Sequence, residues 1–328
     1  MNLNPLSAIS SAIFPAIFSV MYGGVVGVRN ALYDHRWLRS RRLQGAVISV
    51  GNLSTGGSGK TPFVILLGEL LQTRGIRFDV LSRGYGRKSH GVLLVDPGGL
   101  AQEFGDEPVL IARRLQVPVV VGEDRYEAGR FAESRFGAQI HLLDDGFQHR
   151  GLGRDFDIVL VTPEDARDRL LPWGRLREPL QSLQRADAVA LTGGASSESF
   201  PVAGKMVWRV RRGILPKNVP PRPVVFCGVA RPQNFLLQLR AAGIDPLAEA
   251  FFRDHHSYTE KDVQDLLQLR QRSEAGGFVT TEKDAVNLGG YLAALAPLAV
   301  VPVKMELADA DNAVDTMLHM IEERRHRS

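Results

Sequence analysis

The stretch "GNLSTGGSGKTPF", residues 51–63, decides the fold. It follows the apolar, β-branched run "GAVISV" and precedes "VILLGELLQTRG", whose apolar residues recur at helical spacing. Glycines between a strand and a helix let backbone N–H groups turn toward an anion. The start of the helix adds free N–H groups and a partial positive charge. The arrangement is typical of a loop that binds a polyphosphate.

The loop ends in the two residues that phosphate-binding loops use for chemistry. Lys60 can reach the β- and γ-phosphates of a nucleotide, and Thr61 can hold a magnesium ion. The standard pattern G-x-x-x-x-G-K-[ST] has a glycine where this chain has Ser54. The alternative is an ordinary glycine-rich turn. The predicted nucleotide-binding residues are Ser54, Thr55, Gly56, Gly57, Ser58, Gly59, Lys60 and Thr61.

Composition limits the class of protein without choosing the ligand. The 328 residues allow two domains, and a hydrophobic content of 44% is ample for a core. The formal charge of +4 suits an anionic substrate, an anionic membrane surface or nucleic acid. The single cysteine, Cys227, excludes an intrachain disulfide and suits a reducing compartment.

The N-terminus is apolar, and arginines follow it. Residues 2–28 carry no charge, and Pro5 and Pro15 interrupt them. A secretory signal would carry its positive charge before the apolar run. An interfacial helix, a partly inserted helix and a span all stay open. In each case the arginines place the rest of the chain on the cytoplasmic side. A buried helix of a soluble protein is the alternative.

From residue 43 onward, apolar runs alternate with amphipathic stretches. The pattern predicts strands at 45–50, 76–81, 91–95, 117–121, 139–143, 156–162, 187–192 and 298–305. It predicts helices at 60–74, 106–115, 124–136, 177–185 and 311–323. Such alternation indicates an α/β fold: a P-loop NTPase-like, mostly parallel sheet with helices on both faces, plus a second smaller α/β domain. The predicted divisions are an N-terminal membrane-associated helix (1–42), a P-loop core (43–205) and a C-terminal α/β domain (206–328).

Polar residues fall just after the predicted strands, where ligands bind in such sheets. "HLLDDGFQH" ends a strand in Asp144 and Asp145, which we expect to organise magnesium. A solvated turn is the alternative. Adjacent carboxylates at a strand end point in different directions, so we expect them to have different roles.

Three further motifs have both a functional and a structural interpretation. "GDEPVLIARR" places Asp106 and Glu107 at a helix start, where acidic residues are stabilising in any case. "DHH" supplies His255 and His256; no ligand spacing supports zinc, but one histidine could tune a carboxylate base. "TEKD" is a poor match to the base-reading motif of GTPases, and a helix N-cap is the better interpretation.

With these motifs in hand, the chain resembles the tetraacyldisaccharide 4'-kinase (lipid A 4'-kinase) family. The blocks "SVGNLSTGGSGKTP", "SRGYGRK", "GDEPVLIA", "DDGFQH", "LPWGRLREP", "DHHSYT" and "TEKDAV" look like those of that family, in its order. The resemblance implies transfer of the γ-phosphoryl of ATP to the 4'-hydroxyl of an acylated glucosamine disaccharide 1-phosphate. It implies ATP and Mg²⁺ as cofactors and the cytoplasmic face of the bacterial inner membrane as location. Neither nucleic acid nor an obligate protein partner is expected.

The resemblance also implies roles for individual residues. Lys60 is catalytic, together with Asp106 as a base paired with His255. The expected magnesium ligands are Thr61, Glu107, Asp144 and Asp145. The expected substrate-site residues are Arg83, Tyr85, Arg125, His149, Arg177 and Glu178.

Two interpretations from other classes compete with a kinase. A P-loop NTPase acting as a switch or metal-loading factor would need a better base-reading motif than "TEKD". A membrane-bound nucleotide-binding scaffold would not need Asp106. Lipid-dependent ATP consumption by the purified protein separates both from a kinase.

Overall fold

The computed structural model describes residues 5–327, with side chains described for residues 18, 19 and 21–327. Residues 1–4, the beginning of the predicted N-terminal segment, lie outside the described residues. The chain divides into two compact units, each assembled from separate segments. The first unit comprises the chain up to Lys60, Asp145–Arg211 and the chain from Leu307. The second comprises Thr61–Asp144 and Arg212–Glu306. The predicted domain divisions after residues 42 and 205 stay predictions.

Helices and strands alternate along most of the chain. The α-helices are α1 (Pro5–Asp34), α2 (Lys60–Thr73), α3 (Ala101–Phe104), α4 (Asp106–Leu115), α5 (Arg125–Phe136), α6 (Pro232–Ala241), α7 (Glu260–Ser273), α8 (Glu282–Leu288) and α9 (Ala310–His326). The strands are β1 (Ala46–Asn52), β2 (Phe78–Ser82), β3 (Leu93–Leu94), β4 (Val119–Val121), β5 (Ile140–Asp144), β6 (Phe156–Val161), β7 (Ala188–Leu191), β8 (Met206–Ile214), β9 (Val224–Cys227), β10 (Ala248–Phe251), β11 (Phe278–Thr281), β12 (Leu298–Val301) and β13 (Val303–Leu307).

The strands of the first unit run in the order β8-β7-β6-β1, and each neighbouring pair is parallel. Ile48 lies opposite Phe156, and Ile158 lies opposite Ala188. All residues of β1, β6 and β7 are buried. Parallel strands covered on both faces are expected to be apolar almost throughout, as these are. β8 and β13 are neighbours, and each contains a boundary between the two units.

The second unit contains two groups of strands. In one, β5, β2 and β4 are parallel and β3 is antiparallel at the end, in the order β5-β2-β4-β3. The other is a four-stranded parallel sheet in the order β10-β9-β11-β12. The carboxyl ends of parallel strands share an edge, so β11 and β9 bring residues after 281 and after 227 to the same side.

Two predicted elements differ from the structure, and proline explains both. The helix predicted at 177–185 is a short 3₁₀ helix, Leu180–Arg185, which begins directly after Pro179. The strand predicted at 298–305 is two strands, β12 and β13, which belong to different sheets. Pro302 separates them, and a proline has no N–H for a ladder hydrogen bond. The remaining predicted elements agree with the structure to within a few residues.

Helix α1 packs on the loop at 170–178 of the first unit. Ser19 Oγ donates to the Leu170 carbonyl at 2.9 Å, and Tyr22 Oη donates to the Arg177 carbonyl at 3.1 Å. Asn30 Nδ2 donates to Glu178 Oε2 at 2.8 Å. Within residues 5–327, no helix combines the length and apolar character that crossing a membrane requires.

A buried ion pair lies inside the second unit. Asp79 on β2 and His141 on β5 are both fully buried, and His141 Nδ1 lies 2.8 Å from Asp79 Oδ1. Burial raises the pKa of Asp79. Burial on its own would lower the pKa of His141, but the hydrogen bond and charge of Asp79 outweigh it and raise that pKa. Both pKa shifts favour the protonated form of the group concerned, so the pair retains a proton.

We expect His141→Leu to destabilise the protein by about 3–5 kcal/mol, because it leaves the Asp79 carboxyl buried without its partner. Urea unfolding measures the loss. His319→Leu is the control, since the His319 side chain on α9 is 71% exposed. A loss below about 1 kcal/mol for His141→Leu would show that Asp79 does not depend on this pair.

Candidate active site

The loop between β1 and α2 has the backbone conformation that a phosphate cradle needs. Gly56, Gly57 and Gly59 have φ angles of +72°, +68° and +84°. These left-handed values suit glycine, which has no Cβ. Asn52, the last residue of β1, braces the loop, because its Nδ2 lies 2.7 Å from both the Ser54 carbonyl and Ser58 Oγ. The predicted cradle residues Ser54 to Lys60 therefore form one ordered turn in the first unit.

Lys60 belongs to a small charged cluster in the first unit. Its Nζ lies 3.0 Å from Asn52 Oδ1 and 3.6 Å from Asp145 Oδ1. Arg177 contacts both oxygens of Asp145, at 2.9 and 3.1 Å, and also donates to Asn52 Oδ1. Two cations share one carboxylate, which leaves a net positive charge of the kind that attracts phosphate. The structure thus brings the predicted residues Lys60, Asp145 and Arg177 together.

The two adjacent aspartates have different partners. Asp144 ends β5, is 1% exposed and accepts a hydrogen bond from Ser82 Oγ at 3.2 Å. Asp145 has a left-handed backbone, with φ of +53°, and its carboxylate binds Arg177. Asn52 was missed by sequence reasoning. The available signal was a polar residue at the end of an otherwise apolar strand.

Magnesium is compatible with the residues present. Thr61 and Asp144 supply hydroxyl and carboxylate oxygens, which are the ligands that Mg²⁺ prefers. In the part of the chain that the structure describes, no group of three or more His, Cys, Asp or Glu side chains is arranged to hold a metal. Mg²⁺ in phosphoryl-transfer sites usually uses one or two carboxylates and completes its shell with phosphates and water. The four predicted ligands stay predictions.

Several predicted substrate residues have structural partners. Glu178 is fully buried and accepts from Arg185 at 2.7 Å and from Asn30 of α1. Arg125 is 5% exposed and donates to the carbonyls of Gly122 and Glu123. These contacts hold both side chains in place, and the substrate roles of Glu178 and Arg125 stay predictions.

The other predicted substrate residues are more accessible. Arg83 is exposed, His149 is half-buried in the loop after Asp145, and Tyr85 is 65% exposed. The Tyr85 ring lies 5.2 Å from the ring of His255 in the second unit. Tyr85 is therefore the predicted substrate residue that the structure places against the predicted catalytic histidine.

Asp106 is the first residue of α4, and the backbone just before it lies very close to the backbone of Gly84 and Tyr85. Gly105 precedes it with φ of +91°, and a Cβ there would lie 3.1 Å from the Tyr85 carbonyl and 3.2 Å from Gly84. The absence of a side chain at Gly105 lets the "RGYG" loop lie directly on the start of the helix. This approach brings Tyr85 and Asp106 to the same place.

Asp106 and His255 are hydrogen-bonded across 149 positions of sequence. His255 Nδ1 lies 2.9 Å from Asp106 Oδ2 and 3.0 Å from Oδ1. Asp106 is 4% exposed, and the His255 side chain is 25% exposed. His255 has a left-handed backbone with φ of +58°, an uncommon conformation for a residue other than glycine. The structure thus brings the predicted base and its predicted partner together.

Electrostatic interactions shift the pKa values of Asp106 and His255 in opposite directions. Burial on its own would raise the pKa of Asp106, but the hydrogen bond from His255 and the charge of Lys283 outweigh it and lower that pKa. Burial would lower the pKa of His255, but the hydrogen bond to Asp106 and its charge raise it. Asp106 is therefore ionised throughout the neutral pH range.

Helix α8 contributes residues that sequence reasoning missed. Thr281 caps it by accepting a hydrogen bond from the Asp284 N–H, as the N-cap interpretation of "TEKD" predicts. Asn287 Nδ2 also donates to Asp106 Oδ2 at 3.0 Å, and Lys283 lies beside the pair. The spacing of four between Lys283 and Asn287 was the available signal, because such residues share a helix face.

The second histidine of "DHH" has structural contacts. His256 Nε2 lies 3.1 Å from Asp262 Oδ2, and its ring stacks on Phe252 at 4.7 Å. The two histidines therefore have different partners: His255 contacts Asp106, whereas His256 packs on Phe252 and contacts Asp262 at the start of α7.

Comparison with known proteins supplies the family. The family model for tetraacyldisaccharide-1-P 4'-kinase (LpxK) matches residues 11–322. The chain belongs to this kinase family. The tetraacyldisaccharide 4'-kinase of Koribacter versatilis is 49% identical over 98% of this chain and 100% of that protein. The enzyme of the same name from Aquifex aeolicus is 39% identical over 84% of this chain and 89% of its own length.

A solved structure agrees with the fold. The crystal structure of LpxK from Aquifex aeolicus in complex with ATP superimposes with a TM-score of 0.77 at 36% identity. It covers 93% of this chain and 98% of that one. The predicted family, α/β fold class and phosphotransferase class are therefore confirmed.

We expect Lys60→Ala to lower turnover by roughly 10²–10³-fold while the fold stays intact, because one preorganised charge on the transferred phosphoryl group is lost. The measurement is phosphorylation of a monophosphorylated lipid A precursor with Mg-ATP, with circular dichroism as the test of folding. Lys217→Ala, at an exposed lysine, is the matched control. A folded Lys60→Ala protein with normal turnover would refute the role given to this loop.

Proposed function

We propose that the protein transfers the γ-phosphoryl of ATP to the 4'-hydroxyl of an acylated glucosamine disaccharide 1-phosphate at the cytoplasmic face of the inner membrane. The observation that carries the proposal is the hydrogen bond between Asp106 and His255. A P-loop protein that only hydrolyses nucleotide has no need of a carboxylate with a histidine partner for an acceptor hydroxyl. The family membership fixes the class of acceptor.

On the donor side, the first-unit cluster holds the phosphates. The glycine loop presents backbone N–H groups, and Lys60 and Arg177 supply positive charge. When bound through Thr61 and an aspartate, Mg²⁺ neutralises charge on the phosphates. Phosphoryl transfer depends mainly on positioning and charge stabilisation, so we assign the largest share of catalysis to Lys60 and its surroundings.

On the acceptor side, Asp106 receives the proton of the 4'-hydroxyl. Its lowered pKa makes it a weaker base than an ordinary aspartate. A loose transition state needs little proton removal before the phosphoryl moves. Asp106 therefore orients the hydroxyl and takes its proton late, while His255 holds the carboxylate in place. The exposed Tyr85 side chain beside His255 presents an apolar ring face and a polar hydroxyl group to a sugar.

Helix α1 supplies a surface for the lipid. Phe18, Met21, Val25 and Val28 are each more than half exposed, and their spacing of three and four residues forms one apolar stripe. Arginines follow the helix, at 36, 39, 41 and 42. An exposed apolar stripe followed by positive charge suits an anionic membrane surface, where the acylated substrate resides.

We expect Asp106→Asn and His255→Ala each to lower kcat by roughly 10²-fold or more at saturating Mg-ATP. The double variant should be little worse than either one, because the two residues act as a unit. Steady-state kinetics on the lipid precursor measure all three proteins.

His256→Ala is the matched control for this series, since its contacts are with Asp262 and Phe252. It should keep a kcat close to that of the parent protein. Losses that multiply in the Asp106/His255 double variant would contradict the pair and leave catalysis to Lys60 and magnesium.

We expect Met21→Glu to weaken binding to vesicles of phosphatidylethanolamine and phosphatidylglycerol about ten-fold or more, because it removes an apolar contact with the lipid and adds negative charge. Leu237→Glu is the control, since Met21 and Leu237 are 61% and 62% exposed. Cosedimentation measures binding. Equal binding by the two variants would place the membrane contact elsewhere on the protein.

A further inference from the structure

Lys283 lies among the acceptor-side residues of the second unit and has no role in the function proposed above. It lies in the first turn of α8, and its side chain is 16% exposed. Its Nζ lies 2.9 Å from Asp254 Oδ1 and 3.1 Å from His255 Nε2. It also lies 3.8 Å from Asp106 Oδ2 and from Glu107 Oε1. An ammonium group this enclosed has been removed from most of its water.

The carboxylates keep this ammonium charged. Three carboxylates, those of Asp106, Glu107 and Asp254, surround it and compensate for its lost hydration. A charged lysine has three N–H donors and no lone pair. Its contact with His255 Nε2 is a hydrogen bond only if that nitrogen carries a lone pair.

This condition selects one form of the histidine. A neutral imidazole with a lone pair on Nε2 carries its proton on Nδ1. Nδ1 is the nitrogen that faces both oxygens of Asp106, at 2.9 and 3.0 Å. The other neutral tautomer would direct a lone pair at the carboxylate and an N–H at the ammonium, so both contacts would be repulsive.

We infer that Lys283 is a positioning residue: it donates to Nε2 of His255 and so holds the ring with its Nδ1–H toward Asp106, and His255 in turn holds the carboxylate toward the acceptor hydroxyl. Asn287, on the same face of α8, donates to Asp106 directly. α8 therefore orients both members of the pair. The effect on catalysis rests on the proposed function, whereas the tautomer does not.

The competing arrangement is a doubly protonated His255. Asp106 and Asp254 favour it, whereas the neighbouring positive charge of Lys283 opposes it. An imidazolium would present an N–H at Nε2 to the ammonium at 3.1 Å, while the nearest Asp254 oxygen lies 3.8 Å from that nitrogen, beyond hydrogen-bond distance. The 3.1 Å separation of these nitrogens therefore supports the neutral ring.

The decisive experiment is a long-range ¹H–¹⁵N correlation spectrum of the full chain labelled at histidine, recorded at about pH 9.5, because Asp106 raises the pKa of His255 above its ordinary value of about 6.5. Loss of signals in His255→Gln assigns the ring. We expect a protonated Nδ1 and an unprotonated Nε2 in the parent protein, and a clear shift of the Nε2 resonance in Lys283→Met, because that nitrogen loses its hydrogen-bond donor. An imidazolium spectrum in the parent protein, or an unchanged Nε2 resonance in Lys283→Met, would overturn the inference.

Kinetics test the consequence. Lys283→Met should lower kcat on the order of 10²-fold through misplacement of the pair, with little change in KM for ATP. Lys283→Arg, which keeps charge and donors, should restore part of kcat and move the Nε2 resonance back toward the parent position. Lys261→Met, at an exposed lysine of α7, is the matched control. A shifted Nε2 resonance with unchanged kcat would overturn the positioning role.

Two further measurements keep these outcomes interpretable. If Lys283→Met fails the circular dichroism test of folding, Lys283→Gln replaces it, because its polar amide ends one bond short of the lysine Nζ. If His255→Ala retains full kcat, the proposed function of the pair fails, and the NMR spectra still decide the assignment to Lys283.

Discussion

The acceptor side of this protein depends on one buried carboxylate. Asp106 is 4% exposed, and an ionised group loses several kcal/mol of hydration when it is enclosed in this way. It needs donors, which come from its own helix through the Glu107 N–H, from the turn at His255 and from Asn287 of α8. Because these segments are far apart in sequence, the need to satisfy Asp106 constrains how the second unit packs. The same donors give the carboxylate a defined orientation.

The donor side follows a different principle, since its own side chains hold its charges in place. Asn52 accepts hydrogen bonds from both Lys60 and Arg177 while its amide braces the glycine loop. One side chain therefore sets the positions of the loop and of both cations. Groups that need no reorganisation at the moment of reaction stabilise developing charge most effectively.

Local sequence was sufficient for the glycine loop and Lys60, because a phosphate loop is a local structure. The glycines, Lys60 and the flanking strand and helix lie within about thirty residues of each other, and α2 begins at Lys60 as predicted. The Asp106–His255 contact is non-local, so it entered through family resemblance. Lys283 and Asn287 were missed because helical spacing shows that two residues share a face, but not what the face contacts. Asn52 was missed because a polar residue at the end of an apolar strand does not show which groups it contacts. Pro179 and Pro302 were visible signals, and their effects on the predicted helix and strand were underestimated.

The loop at 170–178 touches both the apolar helix and the charged cluster of the first unit. Ser19 and Tyr22 of α1 donate to its backbone, and Arg177 of the same loop binds Asp145. Thermodynamic linkage makes such a connection reciprocal. To the extent that insertion of α1 into a lipid surface shifts this loop, lipid and nucleotide change each other's affinity by the same factor. The proposed membrane contact of α1 and the phosphate-binding cluster therefore share one connecting segment, the loop at 170–178, without any separate regulatory domain between them.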